Sequence, residues 1–455
     1  MKQFGGKNVL IVGGGKTGLA LLGFFLRQGA RVTLSDRRDE TRIPQVEIMR
    51  RAGVTLDLGG HDPAKFKNAD LIVVSPGVSL TQPAISAAIE AGVPVWGEIE
   101  VAARVLNAPL VAITGTNGKS TVTTLIGRIF EKCGSKTFVG GNLGQPLIEA
   151  EREHDWDWII AEISSFQLEA VQTFRPRHAL LLNISEDHLD RYDAMEDYMA
   201  AKARIFAAQT ENDWAILNSE DSLVQKIAHQ GRARRIQFSS RQVLEEGMGF
   251  DGRDIVWRHD GSEKRFPAAE LKLAGIHNIE NVMAALIPPL LEGCPAETAW
   301  EAVCRFTGLP HRMTHVRTLD GVSWYDDSKA TNVGSVVKSL EGPAAPIILI
   351  AGGKDKGGDY GPLRDLVAGK VACLILIGEA AARMEQDLAG TTRIERAADL
   401  AEAVQTAHRL ATAGTTVLLS PACSSFDMFR DFEDRGDQFA SLVRQLPEPQ
   451  RRDIG

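Results

Sequence analysis

A chain of 455 residues exceeds what one hydrophobic core commonly supports and predicts about three domains. Its formal net charge of −8 excludes a broadly basic surface, so neither nucleic acid nor an anionic membrane is expected as a main partner. The five cysteines (Cys133, Cys294, Cys304, Cys373, Cys423) lack C-x-x-C spacing, which predicts reduced thiols rather than a disulfide framework or a zinc site.

The first residues run into a strand without an apolar leader, and no apolar stretch reaches membrane-spanning length. A cytoplasmic protein with no integral membrane association is therefore expected. Asn8–Val12 reads as a buried strand, followed by Gly13-Gly14-Gly15-Lys16-Thr17-Gly18, a helical pattern over residues 19–28, and a second strand, Arg31–Asp36. A G-x-G-x-x-G turn between strand and helix, with an acid about twenty residues on, brings backbone N–H groups to a diphosphate and a carboxylate to a ribose-like diol. Taken alone this says NAD. The glycines specify only close approach to a diphosphate, however, so a UDP-sugar meets the same geometry, and a Rossmann-like unit without a retained site is a third reading. A further strand at residues 70–74 ends in Ser75-Pro76-Gly77-Val78, again at a strand's carboxyl end, and Glu98 begins a short helix after the unit closes. The first domain is placed at residues 1–98.

The strand 111–114 leads into Gly115-Thr116-Asn117-Gly118-Lys119-Ser120-Thr121 and then a helix. This is the order of a phosphate loop, in a form shorter than G-x-x-x-x-G-K-[ST]. The helix N-terminus offers unpaired donors to ATP, with Lys119 on the outer phosphate oxygens and the Ser120 hydroxyl on magnesium. Glycine-rich turns also serve plain packing, but Gly-Lys-Ser at a strand-to-helix junction favours phosphate.

Residues 158–161 form a strand that delivers Glu162 to its end, where a carboxylate can join Ser120 on a magnesium ion, while Ser164 or Ser165 caps the next helix. The strand at 179–184 runs into Ser185-Glu186-Asp187-His188, and His188 is read as a metal ligand beside the phosphate-loop strand. By helical periodicity Lys202 is expected to be exposed. His277-Asn278-Ile279-Glu280-Asn281 starts a helix with two amides at i, i+3, suited to a base or a phosphate oxygen or simply to capping. The central domain is placed at residues 99–306 and the last at 307–455. That last domain alternates strands with loops bearing Arg312, Lys329 and Lys356, cations suited to a carboxylate or polyanion.

Gly115-Thr116-Asn117-Gly118-Lys119-Ser120, Glu162-Ile163-Ser164-Ser165-Phe166-Gln167, Asn183 with Asp187-His188-Leu189-Asp190-Arg191, His277-Asn278-Ile279-Glu280-Asn281 and Asp327-Ser328-Lys329-Ala330-Thr331-Asn332 together resemble the Mur ligases of peptidoglycan synthesis. The likeness runs in order over nearly the whole chain. Ser420-Pro421-Ala422-Cys423-Ser424-Ser425 points to the glutamate-adding branch, and the Asp-Asn-Pro-Arg motif of the diaminopimelate- or lysine-adding branch is absent.

The resemblance implies an α/β fold of three domains: a Rossmann-like N-terminal domain, a central P-loop ATPase-like domain with a mostly parallel sheet, and a C-terminal Rossmann-like domain. It implies an ATP-dependent amide ligase, a monomer, that adds D-glutamate to UDP-N-acetylmuramoyl-L-alanine through an acyl phosphate. UDP would lie on Gly15, Thr17, Asp36, Gly77 and Asn142. ATP would lie on Gly115 through Thr121, Asn278, Asn281, Arg312 and Asp327. Glutamate would meet Lys329, Thr331, Lys356, Ser425 and Phe432, with Lys354 a rival to Lys356. Lys119, His188, Lys202 and Arg312 would be catalytic. Two Mg2+ ions would be held by Ser120, Glu162, His188 and Lys202, the last as a carbamate, which conflicts with its reading as a solvated helix residue. A folylpolyglutamate-synthase-like ligase, a pyridine-nucleotide dehydrogenase and a non-catalytic ATP-binding regulator are the rival readings.

Overall fold

The computed structural model describes residues 3–43, 45–153, 155–187, 191–192, 194–227, 231–273 and 275–447. Five strands, β1 (Asn8–Val12), β2 (Arg31–Asp36), β3 (Thr55–Leu58), β4 (Leu71–Val74) and β5 (Val95–Gly97), pair parallel in the order β3-β2-β1-β4-β5. β1 and β4 are nearly continuous apolar runs because both faces of a parallel sheet are covered. Strand order reverses between them, which opens a crevice at their carboxyl ends. The helix Lys16–Arg27 packs so tightly on this turn that a Cβ at Gly18 would stand 1.8 Å from the Gly13 carbonyl oxygen, so only glycine fits.

A second sheet is built from β6 (Leu110–Thr114), β7 (Thr137–Gly141), β8 (Trp158–Glu162), β9 (His178–Leu181), β10 (Trp214–Asn218), β11 (Arg234–Ser239), β12 (Gly247–Phe250), β13 (Asp254–His259) and β14 (Ser262–Pro267). Its order is β14-β13-β12-β11-β10-β9-β6-β8-β7, parallel except for β13, which runs antiparallel to both β12 and β14. The third sheet comprises β15 (Thr314–Leu319), β16 (Val322–Asp326), β17 (Ile347–Gly352), β18 (Val371–Ile377), β19 (Arg393–Arg396) and β20 (Thr416–Leu419). It is ordered β15-β16-β20-β17-β18-β19, and only β15 pairs antiparallel. A buried apolar cluster covers each of its faces. The mixed, mostly parallel α/β architecture is thus the one the alternation of elements predicted.

By contact density the chain divides into two compact units. The first comprises Met1–Ile184, Glu196–Leu271 and Ile279–Arg305, and contains the first two sheets. The second comprises Ser185–Met195, Lys272–Asn278 and Phe306–Gly455, and contains the third.

Within the first unit, the helix Glu98–Val105 follows the first sheet and is fastened by two buried carboxylates. Glu98 Oε1 accepts from the Ile148 N–H at 2.7 Å. Glu100 accepts from the N–H groups of Gln172 (2.8 Å) and Thr173 (2.9 Å) and from Arg104 Nε (2.7 Å). Burial pushes the Glu98 carboxyl up to about 7, against the opposing bonds from Ile148 and Leu147, and its Oε2 finds no partner among the described residues. None of the five cysteines is in a disulfide.

Candidate active site

In the first unit the phosphate loop joins β6 to the helix Lys119–Lys132. Gly118 sits at φ +84°, and a Cβ there would come within 2.3 Å of Asn281 Oδ1, so the turn and the Asn281 amide exclude a larger residue. Asn183, just beyond β9, clamps the loop from the neighbouring strand: its carbonyl accepts from Thr116 N–H at 3.0 Å, its Oδ1 accepts from Asn117 N–H at 2.8 Å, and its Nδ2 donates to the Asn117 carbonyl at 3.1 Å. Three bonds to two loop residues fix the backbone that would cradle a phosphate. The Thr116 hydroxyl lies 3.2 Å from the Tyr198 hydroxyl. Lys119 Nζ donates to the carbonyls of Gly115 (3.0 Å) and Thr116 (2.9 Å). Ser120 and Thr121 are buried at the start of the helix.

Lys202 corrects an expectation. It is 1% exposed rather than solvated, and its Nζ donates 2.8 Å to the Gly115 carbonyl. The reason is its place on the helix Met195–Ala203: it lies four residues after Tyr198 and four before Phe206, on the apolar stripe rather than opposite it. Its ammonium stands 4.4 Å from the centre of the Tyr198 ring.

Glu162 ends β8, in register with Ile113 of β6, and is buried. Its Oε1 accepts from Asn142 Nδ2 at 2.7 Å, whereas its Oε2 is buried without a hydrogen-bond partner among the described residues. An orphaned carboxylate oxygen beside a phosphate loop is the donor a hard cation takes, so the residues fit a magnesium ion there. As a cationic amine Lys202 is no ligand; only as a carbamate would it offer oxygens. His188 lies outside the described residues. Ser164 caps the next helix, accepting from Gln167 N–H at 3.3 Å.

The first sheet's crevice lies in the same unit. Asp36 is held tightly: Oδ2 accepts from Gly14 N–H (2.7 Å) and Arg38 Nη2 (2.7 Å), and Oδ1 from Arg38 N–H (2.8 Å) and Nε (3.0 Å). Burial pushes its pKa up, but the Arg38 fork and the Gly14 N–H outweigh this and bring the carboxyl down to about 2. It is a fixed anion. Ser75 Oγ donates to the Gly13 carbonyl at 3.1 Å, so the turn containing Gly77 leans on the glycine turn containing Gly15 and leading to Thr17. A cleft lined by Ser75, Pro76, Val78, Phe166, Gln167 and Glu169 adjoins them.

The second unit gathers the remaining candidates. Asp327, the residue after β16, is buried; its Oδ1 accepts from Met313 N–H (3.2 Å), and its Oδ2 from the hydroxyls of Ser339 (2.5 Å) and Ser420 (2.8 Å). Burial pushes its pKa up to about 6 despite the Arg312 charge nearby. Arg312 itself has a buried Nε without a partner among the described residues, and lies between His311 and Met313, both at positive φ. Burial, then the Arg312 charge, depress the pKa of His277, next to Asn278. Lys356 Nζ lies 3.3 Å from Asp187 Oδ1, and Asn332 Nδ2 donates to Asp187 Oδ2 at 3.2 Å. Lys354 is exposed. Lys329 Nζ stands 4.2 Å from the centre of the Phe432 ring, Ser425 is buried, and the Thr331 N–H donates to the Lys329 carbonyl at 2.9 Å.

Sequence reasoning missed Asn183 as the loop's clamp and Tyr198 as its side support. The signal for Asn183 was present, since it lies near the carboxyl end of the strand predicted at 179–184, beside the phosphate-loop strand.

Residues 7–97 match the family described as Mur ligase MurD-like, N-terminal domain; residues 113–288 match the Mur ligase middle domain; residues 311–423 match the Mur ligase, glutamate ligase domain. The UDP-N-acetylmuramoylalanine--D-glutamate ligase of Syntrophotalea carbinolica is 59% identical over 446 residues, covering 98% of this chain and 99% of the relative. The ligase of the same name from Geotalea uraniireducens is 51% identical over 444 residues, covering 97% and 98%. Among solved structures, a pseudomurein peptide ligase type C from Methanothermus fervidus superposes with a TM-score of 0.62 at 17% identity, covering 97% of this chain and all of the other. The UDP-N-acetylmuramate-alanine ligase MurC from Thermotoga maritima gives 0.59 at 17% identity, covering 96% and 99%. At those identities the structures speak for the fold alone. With the phosphate loop, the glycine-rich crevice and the full-length relatives in agreement, the chain belongs to the Mur ligase family.

Proposed function

We propose that this chain joins D-glutamate to the alanine carboxylate of UDP-N-acetylmuramoyl-L-alanine at the expense of ATP, in peptidoglycan precursor synthesis, as the names of its full-length relatives suggest. The observation that carries the reading is the clamped phosphate loop beside a buried carboxylate with an unpaired oxygen. A dehydrogenase leaves both without a purpose.

In the first step the alanine carboxylate attacks the γ-phosphorus, the bond to the ADP oxygen breaks, and an acyl phosphate forms. Lys119 exchanges its loop carbonyls for phosphate oxygens, and Arg312 adds a second cation against the spreading charge. In the second step the glutamate amine attacks the acyl carbon and the tetrahedral intermediate expels phosphate, leaving an amide and losing a proton from nitrogen. Magnesium, held by Ser120, Glu162, His188 and a carbamylated Lys202 as two ions, would neutralise phosphate charge when bound. The division of labour follows residues 1–98 for UDP (Gly15, Thr17, Asp36, Gly77, with Asn142 from beyond), 99–306 for ATP (Gly115 to Thr121, Asn278, Asn281, joined by Arg312 and Asp327) and 307–455 for glutamate (Lys329, Thr331, Lys356, Ser425, Phe432). A cytoplasmic monomer is part of the same reading.

The test is phosphate release from ATP with UDP-N-acetylmuramoyl-L-alanine and either D-glutamate, L-glutamate or no amino acid. Release that depends on D-glutamate supports the proposal, release that depends on L-glutamate overturns its stereochemistry, and none overturns it altogether. Lys202 carbamylation is tested by mass spectrometry at neutral pH, where a carbon dioxide adduct that is lost on acidification is expected.

A further inference from the structure

Arg435, on the helix Phe432–Gln445, is 0% exposed, among the largest side chains so deeply buried. A cation withdrawn from water commonly pairs with a carboxylate; among the described residues this one forms no such pair, and the Asp427 and Asp326 charges only help to hold its proton. Its Nε donates to Ser328 Oγ at 2.9 Å and its Nη2 to the Ser328 carbonyl at 2.8 Å. The Cys423 carbonyl accepts from Nη1 and Nη2, each at 3.3 Å, and the Ser424 carbonyl accepts from Nη1 at 3.4 Å. All three nitrogens are thus spent on neutral oxygens. Burial pulls the guanidinium down to about 10, which leaves it charged at neutral pH.

The acceptors lie on two loops, one after β16 and one after β20. The Ser328 hydroxyl passes the connection on by donating to the Phe432 carbonyl at 2.8 Å. The Ser424 carbonyl also accepts from Lys354 N–H at 2.9 Å, which brings in the loop after β17. Each of the three loops carries a residue of the glutamate pocket proposed above: Lys329, Ser425 and Lys356. A planar fork with five donors can hold two loops at a fixed spacing, which a flexible ammonium cannot.

We propose that Arg435 is a positioning residue for the amino-acid pocket, fixing the loops after β16 and β20 at the spacing where Lys329, Ser425 and Phe432 meet the incoming glutamate. This rests on the ligase reading. Arg435 touches no substrate; it acts through Ser328, Cys423 and Ser424, so its loss shows in the affinity for one substrate of three.

Two variants of the full chain test it: Arg435→Lys keeps the charge and loses the fork, and Ser328→Ala removes only the hydroxyl between Arg435 and Phe432. Phosphate release is measured while D-glutamate, ATP and UDP-N-acetylmuramoyl-L-alanine are varied in turn, with thermal unfolding on the same samples. KM for D-glutamate is expected to rise about tenfold in Arg435→Lys and about threefold in Ser328→Ala, while the other two KM values stay within about twofold. A merely structural role would lower the folded fraction, hence kcat, and leave every KM where it was; that result overturns the proposal. If Arg435→Lys does not fold, Ser328→Ala decides by the same criterion. Wild-type protein without D-glutamate-dependent release would overturn the ligase reading first, and this proposal with it.

Discussion

The phosphate loop of the first unit and the loops of the second that are proposed to meet glutamate reach rigidity by different means. The phosphate loop is one contiguous stretch: Asn183 holds Thr116 and Asn117 through three neutral bonds, and the ammonium groups of Lys119 and Lys202 rest on the Gly115 carbonyl. The loops of the second unit are three stretches far apart in sequence: a buried cation fastens two of them, and the third joins through the Lys354 N–H on the Ser424 carbonyl. Two of the Asn183 bonds spend the N–H groups of Thr116 and Asn117, so the clamp fixes the front of the loop and leaves the phosphate to the start of the helix that follows. Loops far apart in sequence that are proposed to converge on a small zwitterion need an external cross-link.

Removing charges from the first unit sharpens the contrast. The largest effect is expected from Lys119→Ala, with single-turnover phosphate release falling by about 10^3-fold while unfolding free energy stays within about 1 kcal/mol of wild type. A rise in the KM for ATP with the chemical step intact would sink the assignment. Next is Glu98→Gln, which asks whether a buried charge in the first unit matters as Arg435 does in the second. Glu98 has a folded pKa near 7 against an ordinary 4.5, so its contribution to stability is complete below about 4.5 and is lost as pH rises through 7. That loss is on the order of 3 kcal/mol between pH 4.5 and 8. Denaturant unfolding of Glu98→Gln across that window should show a shallower decline than wild type and greater stability at pH 8; parallel curves would refute it.

Gly118→Ala probes the loop's geometry directly. A methyl group 2.3 Å from Asn281 Oδ1, at a backbone φ of +84°, should cost about 2 kcal/mol and weaken ATP binding, as read by calorimetry and ATP titration. The smallest effect is expected from Asp399→Ala in the second unit. Asp399 Oδ1 caps the helix Leu400–Leu410 by accepting from Glu402 N–H at 2.8 Å. Its loss should cost about 1 kcal/mol with all three KM values unchanged. A changed KM for D-glutamate there would show that general loosening of the unit is enough, and would weaken the case for a specific cross-link at Arg435.

The same contrast explains what could be read beforehand. Gly115 to Thr121 and Gly13 to Gly18 are contiguous and flanked by apolar strands, so local chemistry names both the elements and the ligand class. Lys202 was misread as exposed because a lysine on a helix is commonly solvated, although its spacing from Tyr198 and Phe206 already put it on the buried stripe. Arg435 left no local trace, since it lies among Glu433, Asp434 and Asp437 in the charged first half of its helix. Its acceptors stand about a hundred residues upstream at Ser328 and twelve at Cys423, and only the fold joins them. The antiparallel β12–β14 edge of the second sheet also went unanticipated, because its polar, exposed β14 carries little apolar alternation.

Gly115 holds a consequence of another kind. Its carbonyl accepts from Lys119 Nζ at 3.0 Å and from Lys202 Nζ at 2.8 Å, so two ammonium groups share one oxygen. Carbamylation of Lys202 would replace one of those cations by an anion and leave Lys119 with less competition for the carbonyl. Dissolved carbon dioxide would then enter the rate law of the enzyme, and bicarbonate in the assay would behave as an activator whose effect is lost in degassed buffer at low pH.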